Sequence, residues 1–233
     1  MNEIKTRIER FETLPSTNDY AKAQKDKGEN LVVIAAQQSG GRGTKGRSFS
    51  SQKGGVYLTK LTFYEDFLAK DAFKIMQGAA VAVCETLAEY GLNPKIKWPN
   101  DVFVNGKKIC GILIENTFQG RFLQDSVVGV GLNVNNVLED ALKEIATTMS
   151  LELGKSLSVA DVEKKLLSHL FNADLAEKYA EYLGFINETV TLLRGEERIA
   201  AKLLAVDESG NLIAEVNGIK EKYASAEITL RKE

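Results

Sequence analysis

The chain has 233 residues, 44% of them hydrophobic and 27% charged, with a formal net charge of −2. This composition is typical of a globular protein, and the balanced charge excludes a general electrostatic attraction to nucleic acid or to anionic membranes. The length favours one large domain with a small second one. Because the N-terminus lacks the apolar region of a signal peptide and no later run is apolar enough to span a bilayer, we expect a cytoplasmic protein without membrane contact.

The first part of the chain predicts a helix, a buried strand, an irregular segment and a second strand. Ser16 precedes a short helical pattern that ends near Gly28, as a helix N-cap residue does. Residues 31–36 are continuously apolar and β-branched, which is typical of a strand buried on both faces. Residues 37–55 contain glycine, serine and cationic residues, and segments of this kind are usually functional or disordered. Residues 56–63 predict another strand.

The middle of the chain predicts a packed helix followed by three strands. Apolar residues recur at helical spacing over 73–91. Asn105-Gly106 is a hairpin signal between strands at 102–104 and 109–115, and a further turn leads into a strand at 122–134. These three strands are predicted to form a meander.

The last part predicts two helices and then a small all-β unit. The helices cover roughly 137–148 and 158–182. After Gly184, short strands parted by turns predict a small SH3-like β-barrel. The predicted strands of this unit are 189–193, 199–206, 212–216, 219–223 and 228–230. The fold class is therefore α+β, with helices on a mixed, largely antiparallel sheet, and the domains are 1–184 and 185–233.

A glycine- and arginine-rich segment, residues 38–47, comes directly after the buried strand and gives the strongest functional signal. Its glycines let backbone N–H groups approach an anion, and its arginines offer planar donors that match phosphate and carboxylate oxygens. The segment matches neither a Walker loop nor a dinucleotide-binding fingerprint. From composition alone, a solvated basic loop or an RNA-binding tract is equally compatible.

Three further clusters are compatible with nucleotide chemistry. Residues 97–101 place a cation, an aromatic ring, an amide and a carboxylate together, which suits phosphates and Mg²⁺, although a packed tryptophan and an ordinary turn explain them too. Lys107 and Lys108 stand at the start of an apolar strand, with Lys108 on the face of Cys110 and Ile112. Residues 129–133 end the next strand with glycines that permit close backbone approach or form a structural bulge.

Taken together, these motifs resemble those of biotin protein ligases in order and spacing, over nearly the whole chain. The matching segments are 16–18, 38–47, 97–101, 108–115 and 129–133. The resemblance implies an enzyme that uses ATP to form biotinyl-5′-AMP and then acylates a lysine of a biotin carboxyl carrier domain. Because the first motif begins at residue 16, we expect a monofunctional enzyme without the DNA-binding domain of the family's repressor members.

The resemblance also implies roles for individual residues. Those implied to bind biotin are Ser16, Thr17, Asn18, Gln38, Gly41, Arg42, Gly43, Thr44, Lys108 and Gly111. Those implied to bind ATP are Arg42, Gly43, Arg47, Phe49, Trp98, Asn100, Lys108 and Asn133. Lys108, Arg42 and Asp101 are the implied catalytic residues, and Asp101 is the implied ligand of Mg²⁺. No protein nucleophile is required, since binding, orientation and electrostatics supply the rate.

The chain departs from the family pattern at two positions of the loop. Thr44 stands where the family often has arginine, and it cannot supply the charged fork that helps to hold the acyl-adenylate, although Lys45 is adjacent. Phe49 stands where tryptophan is common and keeps an aromatic face for adenine. Because acyl-adenylates hydrolyse easily, we expect the glycine-rich loop to act as a lid.

Two alternatives remain beside the ligase. A lipoate or octanoate transferase would share the architecture of the large domain. A non-catalytic RNA-binding or scaffold protein would need basic and aromatic surface across the small unit, whose sequence instead mixes acidic residues such as Glu196 and Glu215 with its bases. For the ligase, the expected partner is the biotin carboxyl carrier domain, with homodimerisation left open.

Overall fold

The computed structural model describes residues 6–225 and 228–231 and contains two β-sheets, with helices packed on the larger sheet. The larger sheet has seven strands in the order β1-β2-β3-β7-β6-β5-β4. Its strands are β1 (Arg7–Leu14), β2 (Leu31–Gln38), β3 (Val56–Phe63), β4 (Lys95–Lys97), β5 (Asp101–Val104), β6 (Lys107–Gln119) and β7 (Phe122–Leu132). Only β1 and β2 pair in parallel among them, which confirms the predicted mixed, largely antiparallel sheet.

Helices cover both faces of this sheet. The described α-helices are α1 (Thr17–Lys22), α2 (Phe73–Ala88), α3 (Met149–Leu153), α4 (Val159–Leu170) and α5 (Tyr179–Tyr182). Alternation along β2 sends Val32 and Ile34 into the core formed with α2, while Leu31 and Val33 join a smaller core beneath α1. The face that carries α1 is the one on which the predicted motifs converge.

The smaller sheet is antiparallel and has five strands in the order β11-β10-β9-β8-β12. These strands are β8 (Thr189–Arg194), β9 (Glu197–Val206), β10 (Leu212–Val216), β11 (Ile219–Tyr223) and β12 (Thr229–Arg231). They lie where the sequence predicts them, and Ala226 and Glu227, just before the last strand, lie outside the described residues. Buried residues of this sheet belong to the same apolar core as α2, so the two units pack together. The boundary at 184 stays a prediction.

Several predicted elements are wrong. Residues 137–148 form no α-helix and contain only a 3₁₀ turn at Asp140–Leu142, and the helix predicted over 158–182 ends at Leu170 and resumes only as a 3₁₀ turn and α5. Strands β1 and β4 are not predicted from the sequence. In the described part of the chain, no helix has both the length and the apolar character needed to cross a membrane.

Candidate active site

Three glycines form the floor of the candidate site, on the face of the sheet that carries α1. Gly111 of β6 lies opposite Gly131 of β7, and Gly129 is two residues along the same strand. A Cβ atom at Gly129 would lie 2.0 Å from Asn18 Oδ1, and one at Gly131 would lie 2.5 Å from the Phe49 ring. The glycines are therefore required because side chains from α1 and from the glycine-rich loop lie directly on the backbone of the sheet.

A row of neutral polar side chains begins at the N-terminus of α1. Ser16 caps the helix by accepting a hydrogen bond from Asp19 N. Thr17 donates to Gln38 Oε1 from both its backbone N (2.7 Å) and its Oγ1 (3.0 Å), and Gln38 Nε2 donates to Ser51 Oγ at 2.8 Å. These bonds fix the orientation of the Gln38 amide.

Asn18 is held from two sides by residues that the sequence analysis did not assign to the site. Thr59 Oγ1 donates to Asn18 Oδ1 at 2.7 Å, and Asn18 Nδ2 donates to Glu115 Oε2 at 3.2 Å. Thr59, Ser51 and Glu115 therefore complete the row. No clear sequence signal marks Thr59: it is buried in the middle of β3, but Lys60 and Thr62 of the same strand are polar too.

Four charged side chains lie beside Asn18. Arg42 Nη1 is 2.5 Å from Asp19 Oδ1 and 3.5 Å from Glu115 Oε1, while Lys22 Nζ is 3.0 Å from an oxygen of each carboxylate. Burial acts to raise the pKa of Glu115, but hydrogen bonds from Lys22 and Asn18 outweigh it and the pKa lies below its ordinary value. The pKa of Asp19 is lowered for the same reason, against its burial, by Lys22 and Arg42.

The glycine-rich loop folds back on itself. Phe49 N donates to Gly41 O at 2.9 Å and Gly43 N donates to Arg47 O at 2.7 Å. A Cβ atom at Gly41 would lie 2.3 Å from Phe49 O, so the two arms can approach only with glycine there. The Arg47 side chain turns back to donate to Thr44 Oγ1 at 2.9 Å.

Lys108 and Asp101 form an ion pair at the other end of the floor. They lie on neighbouring strands, with Lys108 Nζ 2.7 Å from Asp101 Oδ1 and 5.7 Å from the centre of the Phe49 ring. Asp101 Oδ1 is buried and, apart from this ion pair, has no hydrogen-bond partner among the described residues. A buried carboxylate oxygen without a hydrogen-bond partner suits Mg²⁺, which in phosphate sites commonly takes one or two protein carboxylates. The described residues contain no cluster of three or more acidic, histidine or cysteine side chains for a metal site built of protein alone.

Three predicted ATP-binding residues are engaged in packing. Trp98 is 2% exposed and its Nε1 donates to Gly210 O of the small sheet at 3.0 Å, so neither its ring nor its N–H faces the floor. Asn100 Nδ2 donates to Ile112 O at 2.8 Å, and Asn133 Nδ2 donates to Thr147 O at 3.1 Å. Both amides are buried and hold strand ends and a neighbouring segment in place.

Of the other predicted residues, five lie around the glycine floor in two groups, while Thr44 and Arg47 bond to each other within the loop. The row of Thr17, Asn18 and Gln38 offers neutral donors and acceptors, while Arg42 and Lys108 supply the cations. This arrangement suits a small molecule that has a polar head and an anionic group, because desolvated polar atoms need hydrogen-bond partners and anions need cationic donors.

Comparison with known proteins identifies the same architecture elsewhere. The family model described as "Biotin/lipoate A/B protein ligase family" matches residues 10–133, which is more than half of the chain. "Bifunctional ligase/repressor BirA" of Bacillus subtilis is 34% identical over 220 residues, covering 87% of this chain and 66% of that protein. The protein of the same name from Escherichia coli is 30% identical over 214 residues, covering 86% and 66%. The chain thus spans 66% of the length of these relatives.

Among solved structures, the biotin protein ligase from Aquifex aeolicus in complex with biotin and ATP superimposes with a TM-score of 0.77. The two sequences are 26% identical, and the alignment covers 97% of this chain and 99% of that one. The structural match therefore includes the small C-terminal sheet as well as the part that the family model covers.

Proposed function

Because the chain belongs to the Biotin/lipoate A/B protein ligase family, we propose that it activates biotin with ATP and transfers the biotinyl group to a lysine of a biotin carboxyl carrier domain. The observation that carries this proposal is the glycine floor, with neutral polar groups at one end and cations at its edges. The relatives named as ligases and the Aquifex aeolicus structure with biotin and ATP support it.

In the first step, a carboxylate oxygen of biotin attacks the α-phosphorus of ATP, the bond to the β-phosphate breaks, and pyrophosphate leaves. The ureido ring would exchange hydrogen bonds with Thr17, Asn18 and Gln38, whose polar atoms are already buried or paired. Arg42 and Lys108 would reduce the repulsion between the two anions. Lys108 is suited to this role because it borders the floor at Gly111, where a Cβ atom would lie 3.2 Å from its Nζ.

In the second step, the amine of the acceptor lysine attacks the carbonyl carbon of biotinyl-5′-AMP, AMP leaves, and the nitrogen loses a proton. The glycine-rich loop would exclude water until the acceptor arrives. Phe49 already lies on Gly111 and Gly131, so the loop can cover this part of the floor. Thr44 carries no charge and bonds to Arg47, so the nucleotide would depend on Arg42, Arg47 and Lys108 for charged contacts.

Mg²⁺ would be held by Asp101, whose buried oxygen receives no hydrogen bond. When bound, Mg²⁺ neutralises phosphate charge that Lys108 alone does not balance. Lys108 would then exchange its contact with Asp101 for a contact with the α-phosphate.

The test is a pyrophosphate-release assay with ATP and Mg²⁺ that compares biotin, lipoate and octanoate. Transfer to an isolated biotin carboxyl carrier domain is followed by mass spectrometry. Turnover with biotin alone and acylation of a single acceptor lysine are expected. Turnover with lipoate or octanoate instead would assign the chain to the other branch of the family, and no release with any acid would refute the proposal.

A further inference from the structure

The carboxylates of Asp19 and Glu115 stand where an anion-binding site should need only cations. Asp19 contacts the Arg42 guanidinium, and Glu115 contacts Arg42, Lys22 and the Asn18 amide. Neither carboxylate is assigned a role by the motifs or by the proposed reaction. Two acidic side chains beside the cation that meets an anionic substrate would weaken binding unless they perform another task.

We propose that Asp19 and Glu115 are positioning residues for the acid: they hold the Arg42 guanidinium beside Asn18, so that this cation is already oriented when the acid binds. This inference rests on the proposed function.

The backbone around Arg42 explains why such support is needed. Gly41 and Gly43 flank the arginine, and the backbone of Arg42 pairs with Ser48 across the loop, which fixes the main chain but not the long Arg42 side chain. The Arg42 side chain is also 42% exposed, so packing does not fix it. Two carboxylates at 2.5 and 3.5 Å supply directional contacts that solvent would otherwise replace.

Glu115 connects this cation to the ring-binding row. Its Oε2 accepts from Asn18 Nδ2, while its Oε1 is shared by Lys22 and Arg42. Since Thr59 donates to the other end of the Asn18 amide, the carboxylate determines which atom of that amide faces each neighbour. Lys22 balances the second negative charge, so the four groups together are neutral.

The experiment measures the Kd for biotin by titration calorimetry without ATP. Glu115→Gln and Asp19→Asn keep the side-chain shape and remove the charge that holds Arg42, and each is expected to raise Kd about tenfold, equivalent to about 1.4 kcal/mol. Asp125→Asn is the matched control. Asp125 lies on the adjacent strand, pairs with Lys25 and accepts from Thr117, but it does not contact Arg42 or Asn18 in the described contacts. Its Kd is expected to stay within about twofold of wild type.

A double-mutant cycle separates positioning from a general loss of structure. In an Arg42→Met background, Asp19→Asn should change Kd by less than about twofold, because the group that it positions is gone. Asp19 is exposed at the start of α1, so this variant remains informative even where Glu115→Gln is poorly folded. A Kd that is unchanged or lowered by Asp19→Asn, or an effect that persists in the Arg42→Met background, would overturn the inference. Failure of the wild type to bind biotin or lipoate would instead reject the proposed function.

Discussion

Lys107 and Lys108 are neighbours in β6 with different surroundings, and this difference tests the assigned chemistry. Lys108 Nζ lies beside Asp101, Gly111 and the Phe49 ring, whereas Lys107 Nζ donates to Lys143 O at 2.8 Å. Lys108→Ala should lower the rate of biotin-dependent pyrophosphate release by about 10²–10³, the usual effect of removing one well-placed charged donor. Lys107→Ala should stay within about threefold of wild type. Equal losses in the two variants would show that Lys108 has no special role.

Alanine substitutions at Gly129 and at Gly78 give a second test, because these two glycines have different surroundings. Alanine at Gly129 places Cβ 2.0 Å from Asn18 Oδ1, whereas alanine at Gly78, within α2, meets no atom within 4 Å. Gly129→Ala should displace Asn18, weaken biotin binding at least tenfold and lower the free energy of unfolding by about 1–3 kcal/mol. Gly78→Ala should raise that free energy by about 0.5–1 kcal/mol and leave binding intact, because alanine favours the helix. Calorimetric titration and urea unfolding give both quantities, and normal binding by Gly129→Ala would disprove the close approach.

At the site, the sequence identifies residues whose charge and place in a motif indicate a chemical role. It misses residues whose role depends on which strands pair in the fold. Arg42, Lys108 and Asp101 stand out by type and spacing, and they lie at the glycine floor. Thr59 and Glu115 are separated from Asn18 by long stretches of chain, and only the pairing of β3, β7 and β6 brings them together. Trp98 has the signature of a stacking residue but is buried against the small sheet, a contact that no local pattern contains.

Among the elements of the larger sheet, the interior strands with apolar runs are predicted and the two edge strands, β1 and β4, are not. Strand β3 is predicted with the observed bounds because both its faces are buried, whereas β1 is an edge strand in which exposed charged residues hide the alternation. The end of α4 has only a weak sequence signal, since Asn172 rather than glycine or proline follows it. There Lys60 of β3 donates to Leu170 O at 3.0 Å, so a contact across the fold adds to the local signal.

Lys60 offers a test of this contact through its pH dependence. Its burial lowers the pKa from the ordinary value of 10.5, although the ammonium also lies over the Phe171 ring at 4.5 Å. A lysine with a lowered pKa binds its proton less tightly in the folded state, so folding gains stability as pH rises through the lowered pKa towards 10.5. The Lys60→Met variant has no ionisable group at this position, so it does not gain this stability as pH rises. The free energy of unfolding of wild type relative to Lys60→Met should therefore increase with pH above neutrality, when urea unfolding is measured over a pH series. Lys155→Met, at an exposed position, is the control, and an equal slope for it would contradict the assignment.

For the whole molecule, one turn of the small sheet adds a polar contact between the two units beside their shared apolar core. The turn spans Asp207 to Asn211, and Gly210 O accepts the hydrogen bond from Trp98 Nε1. Gly210 has a φ of 84°, and a Cβ atom there would lie 2.4 Å from the Phe73 ring of α2. The turn therefore packs its backbone directly against the large unit, because Gly210 has no side chain. The contact lies next to the segment that leads to Asn100 and Asp101. The position of the segment at residues 98–101 thus depends in part on the folding of the small sheet.

Asp207 stabilises that turn, and its charge makes the contact between the sheets sensitive to acid. Its Oδ1 accepts from Ser209 N and Asn211 N at 3.0 and 2.8 Å, and Lys222 Nζ lies 2.5 Å from its Oδ2. Burial acts to raise the pKa of Asp207, but the bonds from Lys222 and Asn211 outweigh it and lower the pKa from 3.8 to about 2. A carboxylate with a lowered pKa contributes stability that is complete above its unfolded value and is lost as pH falls through the folded value.

Asp207→Asn should accordingly lower the free energy of unfolding at pH 7 by about 1 kcal/mol, since it replaces charge-assisted hydrogen bonds with neutral ones. That difference from wild type should vanish as pH falls from about 4 to about 2, because the wild-type carboxyl group then takes up its proton. Trp98 is the single tryptophan and reports on the contact itself, so urea unfolding followed by its fluorescence is the measurement. Asp140→Asn is the control, because the Asp140 side chain is 96% exposed in its pair with Lys143 and such pairs add little stability. A difference between Asp207→Asn and wild type that stays constant down to pH 2 would mean that the charge of Asp207 does not stabilise the turn. A difference that disappears would link the turn that contacts Trp98 to the protonation of one carboxylate in the small sheet.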